Sequence, residues 1–315
     1  MKMRVAVIMG GRSSEREVSL RTGQQVSQAL RSRGHEVTEF DVDENLVENL
    51  KKARVDVAYI ALHGKYGEDG TMQGLLELMG IPYVGSGVLA SALGMDKVMA
   101  KKLFRYEGIT TPADDVVYKE DLEKQDQGSL TRKILEKVGL PMVVKPNASG
   151  STVGVTIVQS RDELWGALKE AFRYDESVLV EEYIKGTEIT ATVIGNSQAR
   201  VYPLIEIVPK TAFYDYEAKY TKGMSEHIMP PRLPEAPQAR ARELALRAYK
   251  SIGCRGFARV DLIVRSSDGE PFVLEINTLP GMTETSLVPD AARAEGIAFP
   301  DLVEMLLRLA LGREG

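Results

Sequence analysis

Two strand-like runs joined by a short turn, in the last third of the chain, constrain the fold more than any other feature. The runs F-A-R-V-D-L-I-V and P-F-V-L-E-I-N are rich in β-branched and aromatic residues, and S-S-D-G lies between them, which predicts an antiparallel hairpin. Because side chains alternate across a strand, Arg259 and Asp261 share one face of the first strand. Glu275 and Asn277 share one face of the second strand. A turn centred on Asp268 places Asp261 opposite Glu275 and the other two residues opposite each other.

Two carboxylates that face each other on this hairpin repel unless a positive charge lies between them. A divalent metal ion meets this requirement, and the oxygen-only donor set, without a nearby His or Cys, favours a hard ion such as Mg²⁺ over zinc. The alternative is a polar hairpin face whose carboxylates pair with Arg259 or with water. The motif that follows Asn277 favours the metal site.

Length and composition predict a soluble globular protein with two or three domains. The chain has 315 residues, 43% hydrophobic and 27% charged, and a net charge of -5, which gives no reason to expect nucleic acid as a partner. The single cysteine, Cys254, excludes an intrachain disulfide and suits a reducing compartment. No apolar run reaches the length of a signal peptide core or a membrane span. We therefore expect a cytoplasmic protein that does not insert into a membrane.

The first third of the chain has the order of strand, glycine turn and helix that is typical of a parallel α/β sheet. Such sheets bind ligands at the carboxyl ends of their strands, where the loops G-G-R-S-S-E-R-E-V-S and L-H-G-K-Y-G-E-D-G fall. The glycines do not complete a G-x-G-x-x-G fingerprint, which argues against a dinucleotide. Glu15 and His63 lie in these loops. Each is a candidate for ligand binding, or else a favourable charge at a helix start and an ordinary loop histidine.

The middle of the chain contains a candidate phosphate-binding loop. The predicted strand M-V-V-K-P carries Lys145 near its end and is followed by N-A-S-G-S-T-V-G-V, whose small residues let backbone amides approach a polyphosphate. The loop lacks the G-K-[ST] ending of a P-loop, and an ordinary turn is the alternative. A later strand, V-L-V-E-E-Y-I, offers a place for adenine, with Glu181 or Glu188 for its polar edge.

Six motifs, taken together, resemble the D-alanine–D-alanine ligase family of ATP-grasp enzymes. They are G-G-R-S-S-E-R-E-V-S-L, H-G-K-Y-G-E-D-G-T-M-Q-G, G-M-D-K, V-K-P-N-A-S-G-S-T-V-G, F-Y-D-Y-E-A-K-Y and L-E-I-N-T-L-P-G-M-T-E-T-S-L-V-P, in the family's order. The resemblance implies an α/β, ATP-grasp fold: an N-terminal parallel α/β (Rossmann-like) domain followed by two α+β subdomains that enclose ATP. We place the domains at residues 1–94, 95–184 and 185–315, with the glycine-rich loop in the second and the metal site in the third.

The resemblance also implies a reaction. ATP phosphorylates the carboxylate of one D-alanine, the amine of a second D-alanine attacks the acylphosphate, and the tetrahedral intermediate collapses to D-alanyl-D-alanine and phosphate. The product serves peptidoglycan precursor synthesis. The family's cofactors are ATP and two Mg²⁺ (or Mn²⁺) ions, its members are cytoplasmic, and they usually form homodimers.

Each matching residue carries an implied role. The residues implied to bind ATP are Lys97, Lys145, Ser151, Glu181, Tyr183, Ile184, Glu188 and Lys219. Those implied to contact the two D-alanines are Glu15, His63, Lys219, Arg259, Gly281, Ser286 and Leu287. Those implied to hold the metal ions are Asp261, Glu275 and Asn277.

Four implied roles concern the reaction directly. Arg259 and the backbone N–H of Gly281 stabilise the oxyanion. Glu15 binds the ammonium of the first D-alanine, with His63 nearby. The carboxylate of the second D-alanine is bound by Ser286, the N–H of Leu287 and Lys219. A hydrogen-bonded triad, formed by Glu15, Ser151 and Tyr220, closes a loop over the site.

Two alternatives stay open at this point. One is a depsipeptide ligase that joins D-alanine to D-lactate, although Tyr220 favours the dipeptide. The other is a non-catalytic nucleotide-binding regulator with the same fold, against which the presence of both carboxylates, the arginine and the three lysines argues.

Overall fold

The computed structural model describes residues 2–148, 153–209, 225–283 and 286–312, and these residues form three β-sheets flanked by helices. The first sheet is parallel, in the order β2-β1-β3. Its strands are β1 (Arg4–Met9), β2 (Glu36–Asp41) and β3 (Val57–Ile60). Its helices are α1 (Arg16–Ser32), α2 (Leu46–Ala53), α3 (Thr71–Leu78) and α4 (Val88–Met95). The predicted parallel α/β opening is thus confirmed, and the loops that follow β1 and β3 meet at one edge of the sheet.

The second sheet is antiparallel, in the order β4-β7-β5-β6. Its strands are β4 (Asp114–Tyr118), β5 (Met142–Pro146), β6 (Thr156–Val158) and β7 (Ser177–Glu182). The helices of this part of the chain are α5 (Lys97–Tyr106), α6 (Lys119–Lys124), α7 (Gln127–Lys137) and α8 (Leu164–Ala171). Helices α7 and α8 cover one face of the sheet with buried leucine, isoleucine and alanine side chains.

The third sheet has the order β11-β10-β8-β12-β13, with β9 paired to β8. Its strands are β8 (Gly186–Ile194), β9 (Arg200–Val201), β10 (Ile205–Pro209), β11 (Ser225–Ile228), β12 (Phe257–Arg265) and β13 (Pro271–Asn277). The accompanying helices are α9 (Glu235–Ser251), α10 (Leu287–Ala294) and α11 (Phe299–Ala310). Among the described residues, no helix combines the length and the hydrophobicity that crossing a membrane requires.

The hairpin of β12 and β13 has the predicted register. Asp261 pairs with Glu275, as Arg259 does with Asn277. Close to the turn the strands are offset by one residue, and a β-bulge at Leu274 restores the register, because Asp261 faces Glu275 whereas the next residue of β12 faces Val273. The bulge therefore decides which side chains share the functional face.

Packing between the sheets brings distant parts of the chain together. Side chains of α10 and α11, among them Val288 and Leu306, are fully buried in the same hydrophobic cluster as the first sheet. Helix α5 contributes Ala100 and Phe104 to the cluster of the third sheet. The predicted domain boundaries at residues 94 and 184 fall near the α4–α5 junction and between β7 and β8, and they remain predictions. The region between the three clusters is where the candidate residues gather.

Candidate active site

The predicted metal face lies on β12 and β13 and is mostly buried. Arg259 donates two parallel hydrogen bonds to Asp261, from Nη2 to Oδ2 at 2.8 Å and from Nε to Oδ1 at 2.9 Å. Thr190, on the neighbouring β8, donates its hydroxyl to Asp261 Oδ1 at 2.7 Å. The Nζ atom of Lys97 lies 3.5 Å from Glu275 Oε2. Each carboxylate therefore already has a cationic neighbour.

The donor set of this face fits a hard divalent cation. Two carboxylates in register and the amide oxygen of Asn277 supply oxygen atoms alone, which are the donors that a hard divalent cation prefers. Within the described ranges, no three His, Cys, Asp or Glu side chains converge as a metal-binding group. A site with two carboxylates and one amide is open, which is typical of Mg²⁺ that also binds substrate phosphates.

Two lysines lie near the predicted metal face, because Lys97 contacts Glu275 and Lys145 interacts with it electrostatically. Lys97 lies at the start of α5, and its Nζ donates to the backbone oxygen of Asn147 at 3.4 Å. Lys145 lies on β5 and contacts the carboxylate of Glu181. The cleft beside Lys97 is also lined by Glu275, Asn277 and Gly94. Both predicted phosphate-binding lysines that the structure describes thus approach the predicted metal face.

No role for a third lysine, Lys101, was predicted from the sequence. It lies one helical turn after Lys97, is fully buried, and donates to Glu181 Oε2 at 2.6 Å. Burial would raise the pKa of the Glu181 carboxyl, but Lys101 and Lys145 outweigh burial and hold that pKa below its usual value. Burial lowers the pKa of Lys101, whereas for Lys145 the same effect is outweighed by Glu181 and the pKa is raised.

The loops after β1 and β3 bring Glu15 and His63 together. Ser13 accepts a bond from the backbone N–H of Glu15 at 3.2 Å and donates its hydroxyl to the His63 carbonyl at 2.7 Å. Glu15 is buried, and its Oε2 lies so close to Gly64 that an added Cβ there would come within 2.8 Å of it. With φ of 69° at Gly64, only glycine suits this close approach.

The imidazole of His63 is held from both sides. Its Nε2 lies 3.1 Å from the Thr22 hydroxyl, and its Nδ1 lies 3.4 Å from Glu68 Oε1. The same oxygen of Glu68 accepts the backbone N–H of Gly64 at 3.1 Å. Glu68 belongs to the H-G-K-Y-G-E-D-G motif, but its role as the support of His63 was not predicted, since it depends on how the loop folds back.

The loop before α10 carries the remaining substrate candidates. A Cβ built on Gly281 would lie 3.2 Å from Ser286 Oγ and 4.0 Å from His63 Cε1, so these three residues meet. Ser286 Oγ accepts the backbone N–H of Thr283 at 3.0 Å. Leu287 is the first residue of α10, where backbone N–H groups attract a carboxylate.

The predicted adenine segment lies between β7 and β8. Tyr183 donates its backbone N–H to the carbonyl of Pro141 at 3.1 Å, and Ile184 is buried. Glu188 lies on β8 opposite Ile263. Three predicted residues, Ser151, Lys219 and Tyr220, lie outside the described residues.

The chain matches known proteins over nearly its whole length. A family model described as "D-ala D-ala ligase C-terminus" matches residues 103–308, and one described as "D-ala D-ala ligase N-terminus" matches residues 43–86. A D-alanine–D-alanine ligase from Pelotomaculum thermopropionicum is 54% identical over 311 residues, which cover 99% of this chain and 98% of that protein.

Solved structures give the same result. The crystal structure of a D-alanine–D-alanine ligase from Bacillus anthracis complexed with ATP is similar with a TM-score of 0.84 and 40% identity, and covers 98% of each chain. That of the VanG D-Ala:D-Ser ligase from Enterococcus faecalis has a TM-score of 0.85 and 32% identity, covering 98% of this chain and 100% of that one. The predicted fold class is confirmed by these similarities.

Proposed function

Because this chain belongs to the D-alanine–D-alanine ligase family, we propose that it joins two molecules of D-alanine in an ATP-dependent reaction that supplies peptidoglycan precursors. The observation that carries the proposal is that three parts of the molecule lie close together around one cleft. They are the hairpin face with Arg259 and Asp261, the lysine at the start of α5, and the loop of Gly281 and Ser286 against His63.

The first step is phosphoryl transfer to the carboxylate of the first D-alanine. Such a transfer depends mainly on positioning and on neutralising charge. Lys97 and Lys145 neutralise the phosphates, and Lys219 adds a third cation. Glu181, Tyr183, Ile184 and Glu188 surround adenine and ribose, and for Glu181 the contact is through the segment's backbone, because both carboxylate oxygens already accept from lysines.

Metal ions complete this charge balance. Asp261, Glu275 and Asn277 would hold two Mg²⁺ (or Mn²⁺) ions. Such ions, held there, would offset the negative charge of the phosphates. Arg259 orients Asp261 through its two parallel bonds.

The second step is attack by the amine of the second D-alanine. Glu15 binds the ammonium of the first D-alanine, and His63 packs beside it. Ser286 and the N–H of Leu287 bind the carboxylate of the second D-alanine, with Lys219. Arg259 and the N–H of Gly281 stabilise the oxyanion of the tetrahedral intermediate.

We propose that a hydrogen-bonded triad of Glu15, Ser151 and Tyr220 closes the site. Closure excludes water and protects the acylphosphate from hydrolysis. The same triad bears on the second substrate, for which Tyr220 favours an amine over the hydroxyl of D-lactate. A relative named as a D-Ala:D-Ser ligase shows that the second substrate varies within this fold. We assign D-alanine here.

The experiment is a coupled ADP-release assay with D-alanine, D-lactate or D-serine present, followed by mass spectrometry of the products. D-alanine should be required for ADP release, and D-alanyl-D-alanine should dominate in equimolar mixtures at neutral pH. Predominant depsipeptide or D-alanyl-D-serine would refute the substrate assignment and leave the ligase chemistry intact. ADP release that ignores every D-amino acid would refute the ligase itself.

We also propose that the protein works as a cytoplasmic homodimer. Two large leucines on adjoining helices are exposed, Leu78 on α3 at 90% and Leu89 on α4 at 70%. An apolar patch of this kind is typical of a surface that a partner covers. Light scattering should give twice the chain mass for the parent, and Leu78→Asp should shift it toward the monomer.

A further inference from the structure

A cluster of charged side chains, most of them buried, surrounds Glu181 next to Lys145. The carboxylate of Glu181 is shared, with Oε1 contacting Lys145 and Oε2 accepting from Lys101 at 2.6 Å. Lys101 has no exposed surface, and Asp114 Oδ1 lies 3.9 Å from its Nζ. Asp114 is in turn held by Arg105, which contacts both of its oxygens.

The two acids of this cluster are shared among three basic side chains. Glu181 contacts both Lys101 and Lys145, whereas Asp114 contacts Arg105 and lies near Lys101. A buried ammonium is costly unless paired. Glu181 is therefore the acid that both buried lysines share, and Lys145 also interacts electrostatically with Glu275.

Geometry indicates how Lys101 acts. A lysine ammonium has three N–H donors and no acceptor. With Lys101 bound to one oxygen of Glu181, Lys145 is restricted to the other oxygen, which leaves it donors that point elsewhere. Without Lys101, Lys145 would be drawn over both oxygens and away from the cleft.

We propose that Lys101 is a positioning residue for nucleotide binding: it occupies one oxygen of Glu181 and so holds Lys145 at the edge of the cleft, where Lys145 meets the phosphates of ATP. The proposal rests on the proposed function, in which Lys145 contacts ATP. Lys101 itself touches no substrate.

The test is calorimetric titration of ADP with Mg²⁺ into the full chain, without D-alanine, for four proteins. They are the parent, Lys101→Met, Glu181→Gln and the double variant. Methionine keeps the length of the side chain and removes its charge. We expect Lys101→Met to weaken ADP binding about tenfold, in line with the loss of a charge-assisted contact. In the Glu181→Gln background the same change should alter the affinity less than about twofold, because Lys101 acts through that carboxylate.

The control is Lys102→Met, the exposed neighbour on the same helix, which should bind ADP like the parent. In steady-state assays, Lys101→Met should raise KM for ATP and leave KM for D-alanine unchanged, a split that general loss of structure would not give. Parental ADP affinity in Lys101→Met, or an equal loss in both backgrounds, would overturn the proposal. If Lys101→Met does not fold, Lys101→Gln, which removes the charge and keeps a polar group, takes its place: ADP affinity that falls in the parent background and not in the Glu181→Gln background supports the proposal, and any other pattern refutes it.

The outcomes separate this proposal from the proposed function. A parent that binds ADP but makes no dipeptide refutes the ligase assignment and leaves the four-protein comparison valid. A parent that makes dipeptide while Lys101→Met binds ADP normally refutes the role of Lys101 alone.

Discussion

At the scale of single residues, the functional face of the hairpin depends on partners from other elements. Asp261 is oriented by Arg259 from its own strand and by Thr190 from β8. Glu275 has Lys97 of α5 as its neighbour. Each carboxylate thus contacts a residue that lies far along the chain, and removing one charge tests its role without disturbing the packing.

Replacing Glu275 with Gln should nearly abolish turnover while the protein stays folded, because the change removes one ligand charge and little volume. The measurement is kcat at saturating Mg²⁺ and ATP, with circular dichroism as the check on folding. Glu270→Gln is the matched control, since Glu270 lies at the turn end of the same hairpin and pairs with Arg240 at the surface. Parental turnover in Glu275→Gln would remove Glu275 from the metal site.

The shared face of the hairpin could be predicted from the sequence because it follows from the residues of two neighbouring strands. Its contacts with other elements could not, because they depend on how distant parts of the chain pack. Alternation within two strands determines that Asp261 and Glu275 share a side, and their register follows from a short turn and one bulge. The partners Thr190 and Lys97, like the contact of Lys101 with Glu181, depend on which strands and helices become neighbours. No periodicity within the sequence encodes that choice, so Lys101 reads as one more lysine of an amphipathic helix.

At the scale of elements, hydrogen bonds of polar side chains connect the ends of strands to the loops and helix starts beside them. Asn147, after β5, accepts the N–H of Val98 at 2.9 Å and donates to Asp96 at 3.0 Å, and Asp96 also caps α5 by accepting from Met99 at 2.9 Å. Asp41 does the same for the first sheet, accepting the N–H of Gly11 at 3.0 Å at the end of β2. These hydrogen bonds thus hold the loops that carry candidate site residues where the loops leave the strands.

The contribution of Asp41 to the stability of the fold should depend on pH. Its hydrogen bond with Arg16 lowers the pKa of the Asp41 carboxyl from 3.8 to about 2 in the folded protein. A lowered folded-state pKa contributes stability above the unfolded value, and that stability is lost as pH falls through the folded value. Asp41→Asn should therefore cost a few tenths to about 1 kcal/mol near pH 6, since both side chains are partly exposed and screened.

The cost of Asp41→Asn should shrink as pH falls from about 4 to about 2, where the parent's own carboxyl becomes protonated. Urea unfolding at several pH values measures it. In an Arg16→Gln background the cost should vary less with pH, because the main cause of the lowered pKa is gone. A cost that is constant between about pH 2 and about pH 6 in the parent background would contradict the assignment.

At the scale of the whole molecule, the first sheet is completed by helices from the opposite end of the described sequence. Leu302 and Leu306 of α11 are fully buried in the cluster of the first sheet. At the rim of that contact, Arg33 pairs with Asp301, and His35 Nε2 lies 2.6 Å from Glu304. Loops with Glu15 and His63 therefore rest on a core that α10 and α11 help to build.

Leu306→Ala should lower the free energy of unfolding by about 2–5 kcal/mol, because it leaves a cavity in a fully packed core. Denaturant unfolding followed by circular dichroism measures the change. Leu309→Ala, in the same helix but only partly buried, should cost clearly less. Equal costs for the two variants would show that α11 does not pack as described.

The contact between α11 and the first sheet also determines when the first sheet can finish folding during synthesis. A ribosome releases β1 to β3 early, and domains usually fold as they emerge. Here the apolar cover supplied by α10 and α11 is translated after both later sheets, so the first sheet waits with part of its core exposed until nearly all the described sequence has been made. The loops that bear Glu15 and His63 reach their final support only then, and a nascent chain carries no complete site before that moment.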